Sequence, residues 1–507
     1  MLSKSRLIHH HQCPKRLWLH QFRPDLEKFD SSAMALMENG NRVGEVARAM
    51  HPGGVLIDDE DLSQALEATA AALKGRKKPL FEATFAYKGV LVRADLLLPV
   101  RGGYSLVEVK SSTKPKPYHL EDVAIQAWVI RHCEIDLRMV EIAHVNPGFV
   151  YKGHPHQKSL PQGGERLDCP CQGQYAGLLT RVDVTEEVED LAREVPKWVR
   201  AARRTLKGEM PAISPGEQCH TPFPCPFKDY CSPKAKGYPV ELLKDDTLAA
   251  ELKAAGYSDL RKVPRALITK DRHLRVWEAT KRGKAWLDPK AREILEALPY
   301  PRYYLDFETI QHPVPIWLGT TPVTQVPFQW SCHIENRHGG LRHEHFLGSG
   351  LEDPRRAFAE SLIQTVRKRG PIFVYYQPFE SARIQELSVL FPDLEATLKS
   401  IQARLVDLLP IARKHYFHRD LGGSWSLKAV IPTIAPELAY KDLEITNGNL
   451  AAASFDTLIN AMRPPEGRRR LRRNRGLITS LRSSLLAYCE RDTLALVKLA
   501  HHFQSRP

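Results

Sequence analysis

Val92-Arg93-Ala94-Asp95-Leu96-Leu97, followed by Leu106-Val107-Glu108-Val109-Lys110, decides how the first half of this chain folds. Apolar residues alternate or run together over strand length, and Gly89 stands near a turn. Pro79 to Pro99 therefore reads as a hairpin, and Leu106 to Val109 as a short buried strand. Residues i and i+2 share one face of a strand, so Glu108 and Lys110 point together while Val109 enters the core. Two carboxylates, Asp95 and Glu108, converging on one point repel unless a hard cation lies between them. Oxygen ligands of this kind suit Mg²⁺ or Mn²⁺. Lys110 is placed to orient or deprotonate a water acidified by such an ion. Gln126, on the next predicted helix (Leu120 to His132), is a candidate to position that water. Glu82 on the preceding strand and Glu45 on the predicted helix Ala33 to Met50 are further candidate ligands. Taken alone, Asp…Glu-x-Lys also fits a solvated strand face.

Four cysteines flank this region: Cys13 near the start, and Cys219, Cys225 and Cys231 some two hundred residues later. A thiolate site closed from both ends would staple the segment between them. The chain has nine cysteines, and its first residues lack the apolar run of a signal peptide. Thiols or metal ligands are therefore expected rather than disulfides. A set of four cysteines is compatible with Zn²⁺ as well as with an iron–sulfur cluster. Cys169-Pro170-Cys171, in the polar stretch 152–174, reads as incidental. Cys133, Cys332 and Cys489 read as buried thiols. His9-His10-His11 reads as solvent-facing.

A second acidic constellation begins at Tyr303-Tyr304-Leu305-Asp306-Phe307-Glu308, where two acids again share one strand face. Tyr488 and Asp492, spaced i, i+4 on a predicted helix over 482–502, project to one side. Glu380, after the predicted strand Ile372 to Tyr376, and Asp407 are candidate acids between them. Each also has a structural reading, Glu380 as a charge in a helix's first turn and Asp407 as a cap. Acids from a first strand and a late helix meet only if the chain folds back over itself.

The 507 residues suggest several domains. We expect an α/β domain over 1–235, a helical connector over 236–298 and a second α/β domain over 299–507. Hydrophobic content of 43% and charged content of 26% fit a soluble globular protein, expected to be cytoplasmic. No apolar run approaches the ~20 residues of a membrane span. The net charge of +14 favours a polyanionic partner. The run Gly467-Arg468-Arg469-Arg470-Leu471-Arg472-Arg473-Asn474-Arg475 is either a solvated loop or a sequence-independent phosphate contact.

Cys13-Pro14-Lys15-Arg16-Leu17-Trp18-Leu19, together with Cys219-x5-Cys225-Pro226-Phe227-x3-Cys231 and the order of elements around Asp95, resembles the iron–sulfur RecB-like nucleases. These include the CRISPR adaptation exonucleases and AddB-type helicase–nucleases. The resemblance implies a PD-(D/E)XK, restriction-endonuclease-like domain that cuts DNA with Mg²⁺ or Mn²⁺ at Asp95, Glu108, Lys110 and Gln126. It also implies a [4Fe–4S] cluster on Cys13, Cys219, Cys225 and Cys231. Where that family carries its first-motif His, this chain has Gly44, with Glu45 beside it. Asp306-x-Glu308 with Tyr488-x3-Asp492 resembles the DEDDy 3′–5′ exonucleases. That resemblance implies an RNase H-like domain with Asp306, Glu308, Glu380 and Asp492 as metal ligands and Tyr488 on the attacking water. Ser426-Leu427-Lys428 and Pro327-Phe328-Gln329-Trp330-Ser331 extend the likeness to an uncharacterised bacterial family that joins two such halves.

The expectation is thus a metal-dependent nuclease acting on DNA, with single-stranded ends as substrate, in repair or defence beside a helicase or defence-complex partner. The alternatives are a nucleic-acid-binding scaffold with one or both sites degenerate, and a single-activity RNA exonuclease. Nothing in the chain identifies a group that would read a 2′-hydroxyl.

Overall fold

A computed structural model describes residues 1–28, 31–153, 173–232, 237–462 and 474–505, without the side chains of 31–36. Cys169, Cys171 and the arginines from Arg468 to Arg473 lie outside the described residues. The chain is mixed α/β and divides into two compact units. Unit 1 comprises Met1–Lys234 and His312–Thr324; unit 2 comprises Ala235–Gln311 and Gln325–Pro507.

Unit 1 is built on a seven-stranded sheet: β1 (Leu2–Ser3), β2 (Val55–Leu56), β3 (Leu80–Tyr87), β4 (Val90–Val100), β5 (Gly103–Lys110), β6 (Leu137–Val145) and β7 (Leu179–Asp183). The order is β2-β3-β4-β5-β6-β7, with β1 pairing β4. Its helices are α1 (Lys4–Gln12), α2 (Pro14–Phe22), α3 (Ser31–Ala49), α4 (Leu62–Lys74), α5 (Pro117–Arg131), α6 (Thr185–Lys207) and α7 (Lys228–Cys231). β5 and β6 are parallel, so the chain needs a crossover between them, and α5 supplies it. Pro117, at the first position of α5, starts that helix earlier than the expected Leu120, because a helix's first N–H has no partner to lose there. One face of the sheet packs Leu97, Leu106 and Val140 against Leu7, Val123, Val129 and Val195. On α3, Val43, Val46 and Ala47 are buried. Val314, from the segment His312–Thr324, joins Val43, Phe149 and Tyr175 in one apolar cluster.

Unit 2 holds the helices α8 (Asp246–Ala254), α9 (Asp271–Arg282) and α10 (Lys290–Glu296). Around its main sheet lie α11 (Arg355–Thr365), α12 (Gln377–Leu390), α13 (Glu395–Gln402), α14 (Leu408–His415), α15 (Leu427–Val430), α16 (Gly448–Met462) and α17 (Arg475–Gln504). The strands β8 (Trp286–Leu287) and β14 (Tyr416–Phe417) form a small separate pair. The main sheet is β9 (Arg302–Ile310), β10 (Val326–Glu335), β11 (Leu341–Leu347), β12 (Ile372–Val374) and β13 (Leu405–Asp407), in the order β11-β10-β9-β12-β13. β9 to β11 form an antiparallel meander; β12 and β13 add in parallel.

β9 is central and buried on both faces. Tyr303, Leu305 and Phe307 pack with Phe358, Leu362, Ile384 and Leu387, while Tyr304 packs with Phe373, Leu496, Leu499 and Phe503. Val240, Leu252, Leu260, Val276 and Leu295 belong to that second cluster. The segment expected as a helical connector therefore shares the core of unit 2. Its short helices carry apolar stripes that need a partner, and α17 provides one. Among the described residues no helix is long and apolar enough to cross a membrane.

Candidate functional site

In unit 2, Asp306 and Glu308 lie on one face of β9, opposite Ser331 and Gln329 of β10. α17 crosses that face and brings Tyr488, Cys489 and Asp492; the first turn of α12 brings Glu380. Glu308, Glu380 and Asp492 are 7%, 2% and 5% exposed. Ligand atoms of Asp306, Glu308 and Cys489 all lie within 4.8 Å of one another.

Burial and the charge of Asp492 push Asp306 well above the usual carboxylate range. Burial with Asp306 and Asp492 does the same to Glu308, and burial with Asp306 does so to Glu380. Each carboxylate pair at ~4 Å costs on the order of 4 kcal/mol at an effective dielectric of ~20. Protonation or a cation must relieve this. Glu380 Oε2 is moreover buried without a hydrogen-bond partner. α16 begins at Gly448, so close that a Cβ there would stand 3.4 Å from Glu308 Oε2.

The groups around these acids hold their geometry. The Lys428 ammonium donates to the Tyr488 hydroxyl at 2.8 Å and lies 4.8 Å and 5.2 Å from the ring centroids of Tyr488 and Tyr440. The Tyr440 hydroxyl donates to Asp492 Oδ1. Cys489 Sγ lies 3.7 Å from Asp306 Oδ2 and donates its weak S–H to it. Burial and Asp492 raise Tyr488 above its usual range, so it stays a phenol and a donor. Lys428 was legible only as part of a motif, and Tyr440 carried no sequence signal. Cys489 read as a plain buried thiol, yet it touches the acid cluster.

Asp407 has the capping contacts of its structural reading. Its Oδ1 accepts from the N–H groups of Tyr376 (3.0 Å) and Leu409 (2.9 Å), and its Oδ2 from Gln377 (3.0 Å). It caps α14 and braces the turn that holds Tyr376 at φ +80° before α12, and its charge also acts on Glu380. Asp407→Ala should cost about 1–2 kcal/mol in denaturant unfolding and lower kcat through α12, while Asp407→Asn should keep most of both.

In unit 1 the β4–β5 ladder ends at Leu96 and Val107; beyond it, Asp95 Oδ2 accepts from the Val109 N–H at 2.7 Å. Glu108 is 2% exposed and Gln126 fully buried. Glu108 Oε1 accepts from Lys110 (2.6 Å) and Lys4 (2.9 Å), and Oε2 from Gln126 (2.6 Å). Asp122 accepts from Lys110 at 2.6 Å and lies 3.3 Å from Lys4. Burial and the nearby Glu108 push Asp95 up to about 7. Burial acts against the Glu108 carboxylate, but Lys110 and Lys4 outweigh it and hold it well below the usual range. Lys4 and Asp122 were invisible to motif reading.

Glu45 stands outside the hydrogen-bonded cluster. It is exposed on α3, whose Val43, Val46 and Ala47 turn inward, and it has no hydrogen-bond or ion-pair partner among the described residues. Glu82, at φ +56° between the paired Phe81 and Ala83, faces Arg48 at 3.5 Å, and burial raises its carboxyl within reach of the charges of Glu108 and Lys4. Nor is the histidine run simply solvent-facing: His9 and His10 are half-buried, and His10 Nε2 meets the Thr205 hydroxyl at 3.1 Å.

Cys13, Cys219, Cys225 and Cys231 line one cavity of unit 1, beside Lys15, Arg16 and Lys228. Gln12 fastens α1 to this region by donating to the carbonyls of Gln218 (2.8 Å) and Phe223 (2.6 Å). The seven described cysteines are free thiols. No three of these four sulfurs, all among the described residues, lie within 4.8 Å of one another. A zinc tetrahedron with Zn–S of ~2.3 Å needs sulfurs ~3.8 Å apart.

Residues 303–426 match a family described as a domain of unknown function, DUF2779. The match takes in Asp306, Glu308, Glu380 and Asp407 and stops before Lys428. No curated protein matches the chain, and no solved structure does.

Proposed function

We propose that this protein is a metal-dependent nuclease acting on single-stranded DNA ends, with hydrolysis at Asp306, Glu308, Glu380 and Asp492. The observation that carries the reading is the poorly compensated charge of that cluster: among the described residues four acids face one ammonium, Lys428, which bonds to Tyr488 instead of a carboxylate, while the Arg491 guanidinium near Asp492 is paired with Asp442. The orphaned Glu380 Oε2 and the ligand atoms within 4.8 Å fit one or two Mg²⁺ or Mn²⁺ ions, which when bound supply charge neutralisation and an acidified water. The strand order also supports an RNase H-like reading, because a central first strand lets the closing helix lie over its acids.

Tyr440 and Tyr488 both hydrogen-bond Asp492, and Lys428 donates to the Tyr488 oxygen, so the phenol is held beside the acids where a water or a phosphate oxygen would bind. Tyr488→Phe should lower kcat by about 10–100-fold on end-labelled single-stranded DNA and leave Mn²⁺ binding unchanged. Unchanged kcat would remove Tyr488 from the chemistry. An RNA strand of the same sequence, run in parallel, tests the RNA alternative.

For unit 1 we propose a RecB-like domain that holds the nucleic acid and carries a [4Fe–4S] cluster on its four cysteines. The four cysteines line one cavity, and three cationic side chains around it suit a thiolate cluster. Anaerobically purified protein should hold roughly four irons per chain and absorb broadly near ~400 nm, and Cys225→Ser should lose both. One zinc and no iron would replace this assignment. The arrangement at Glu108, whose two oxygens already accept from Lys4, Lys110 and Gln126, does not fit a divalent ion as it stands, and no hydrolytic step is assigned to it.

A further inference from the structure

The two carboxylate clusters of this chain differ in one respect that their sequence motifs do not show. Among the described residues of unit 2, four acids share a single ammonium, and Glu380 Oε2 is buried without a hydrogen-bond partner. In unit 1, every carboxylate oxygen of Glu108 and Asp122 lies within reach of a side-chain donor. Lys4 and Lys110 both reach Glu108 Oε1; Gln126 reaches Oε2; Lys4 and Lys110 reach the two oxygens of Asp122. The motif accounts for Lys110. Lys4 is extra.

Its position is built into the fold. Leu2 and Ser3 pair with Val90 and Leu91 at the start of β4, the strand that carries Asp95. Leu2 is 4% exposed, and its N–H donates to the Gly89 carbonyl at 3.0 Å. The Ser3 hydroxyl then accepts from the Arg6 N–H, turning the chain into α1 with Lys4 as its first residue. Leu7 anchors the same helix in the core. The ammonium is thus delivered to Glu108 by a sheet pairing, a cap and a buried leucine, not by a free surface chain. Two ammonium groups balance the charges of Glu108 and Asp122. Asp95, hydrogen-bonded by the Val109 N–H, completes the cluster.

A divalent ion ligated by Glu108 needs an open lone pair at ~2.1 Å. It would also sit within a few ångströms of an ammonium that already shares that oxygen. We propose that Lys4 is the resident cation of the unit 1 site, standing where a divalent metal would otherwise bind, so that this site takes no metal while Lys4 is in place. The proposal is separate from the nuclease reading of unit 2, which is tested by activity of the otherwise unaltered chain.

The test counts Glu108-dependent Mn²⁺ binding by electron paramagnetic resonance. The full-length protein carries Asp306→Asn and Asp492→Asn, which remove the candidate metal site of unit 2. This background should show no Mn²⁺ that Glu108→Gln abolishes, up to ~1 mM free ion. Adding Lys4→Met should create one such equivalent, bound at least ~10-fold more tightly. Lys4→Gln serves as a second neutral variant, and each protein's cooperative thermal transition verifies folding. Thermal midpoints give a second readout: Mn²⁺ should raise that of the Lys4→Met protein and leave the Lys4-containing background unmoved. The proposal is overturned if the background already binds Glu108-dependent Mn²⁺, or if both folded Lys4 variants gain none.

Discussion

Asp306→Asn should abolish hydrolysis, lowering kcat on end-labelled single-stranded DNA by ~10³-fold or more with Mn²⁺ present, while making the metal-free protein more stable. The two effects have one cause. Asp306 is buried beside Asp492 and Glu308, and its nearest donor is the weak S–H of Cys489. Neutralising it relieves on the order of 1–3 kcal/mol of poorly compensated charge in the apo protein. The same change removes an oxygen ligand that the reaction needs.

The pH dependence follows with a definite sign. A carboxyl whose folded pKa lies above the unfolded value, ~4, binds its proton more tightly when folded. Its contribution is full below about pH 4 and is lost as pH rises through the folded value. Asp306, Glu308 and Glu380 are all raised, and Asp95 stands at about 7. In EDTA, stability from these groups should therefore fall between about pH 4 and pH 7. Glu108 is depressed and acts in the opposite sense, losing its contribution as pH falls below ~4. Thermal midpoints across that range should decline with rising pH in the wild type, and decline less in Asp306→Asn or with Mn²⁺. A rise with pH, equal in both proteins, would contradict the burial of uncompensated acid in unit 2.

The largest stability effect is expected in unit 1. Glu108→Ala leaves the ammonium groups of Lys4 and Lys110 and the Gln126 amide without their shared acceptor at a site that is 2% exposed. Breaking a buried pair by removing one partner costs about 3–5 kcal/mol. Urea unfolding should show that loss in one transition of the two-unit protein, with Glu108→Gln intermediate. A loss below ~1 kcal/mol would mean that the lysines find solvent readily and that the cluster is not the closed ion-pair network described above.

Much of this was legible because periodicity and spacing are local. Asp306-x-Glu308 had to share a strand face, and Tyr488 and Asp492 had to share a helix face, whatever the rest of the chain did. The helix carrying the latter pair begins at Arg475, well before the expected 482, since its opening turns lack a clear apolar stripe. Glu380 was ambiguous in sequence because a helix's first turn attracts acids for reasons of its own. Only the placement of α12 against β9 brings it to Asp306. Asp407 had the same two readings, and three backbone amides donate to its oxygens as the capping one expects. Glu45 is exposed because adjacent helical residues are ~100° apart and Val43, Val46 and Ala47 take the inward face.

By itself the sequence determined which acids can stand together on one element, the positive charge of the chain, and the cysteine spacing that lines a single cavity. Tertiary structure alone decided how those acids are compensated. Lys4 lies more than a hundred residues from Glu108, and Lys428 sixty from Tyr488. No local pattern encodes such pairings. The electrostatic character of a buried carboxylate depends on everything within a few ångströms of it, and those neighbours come from the fold.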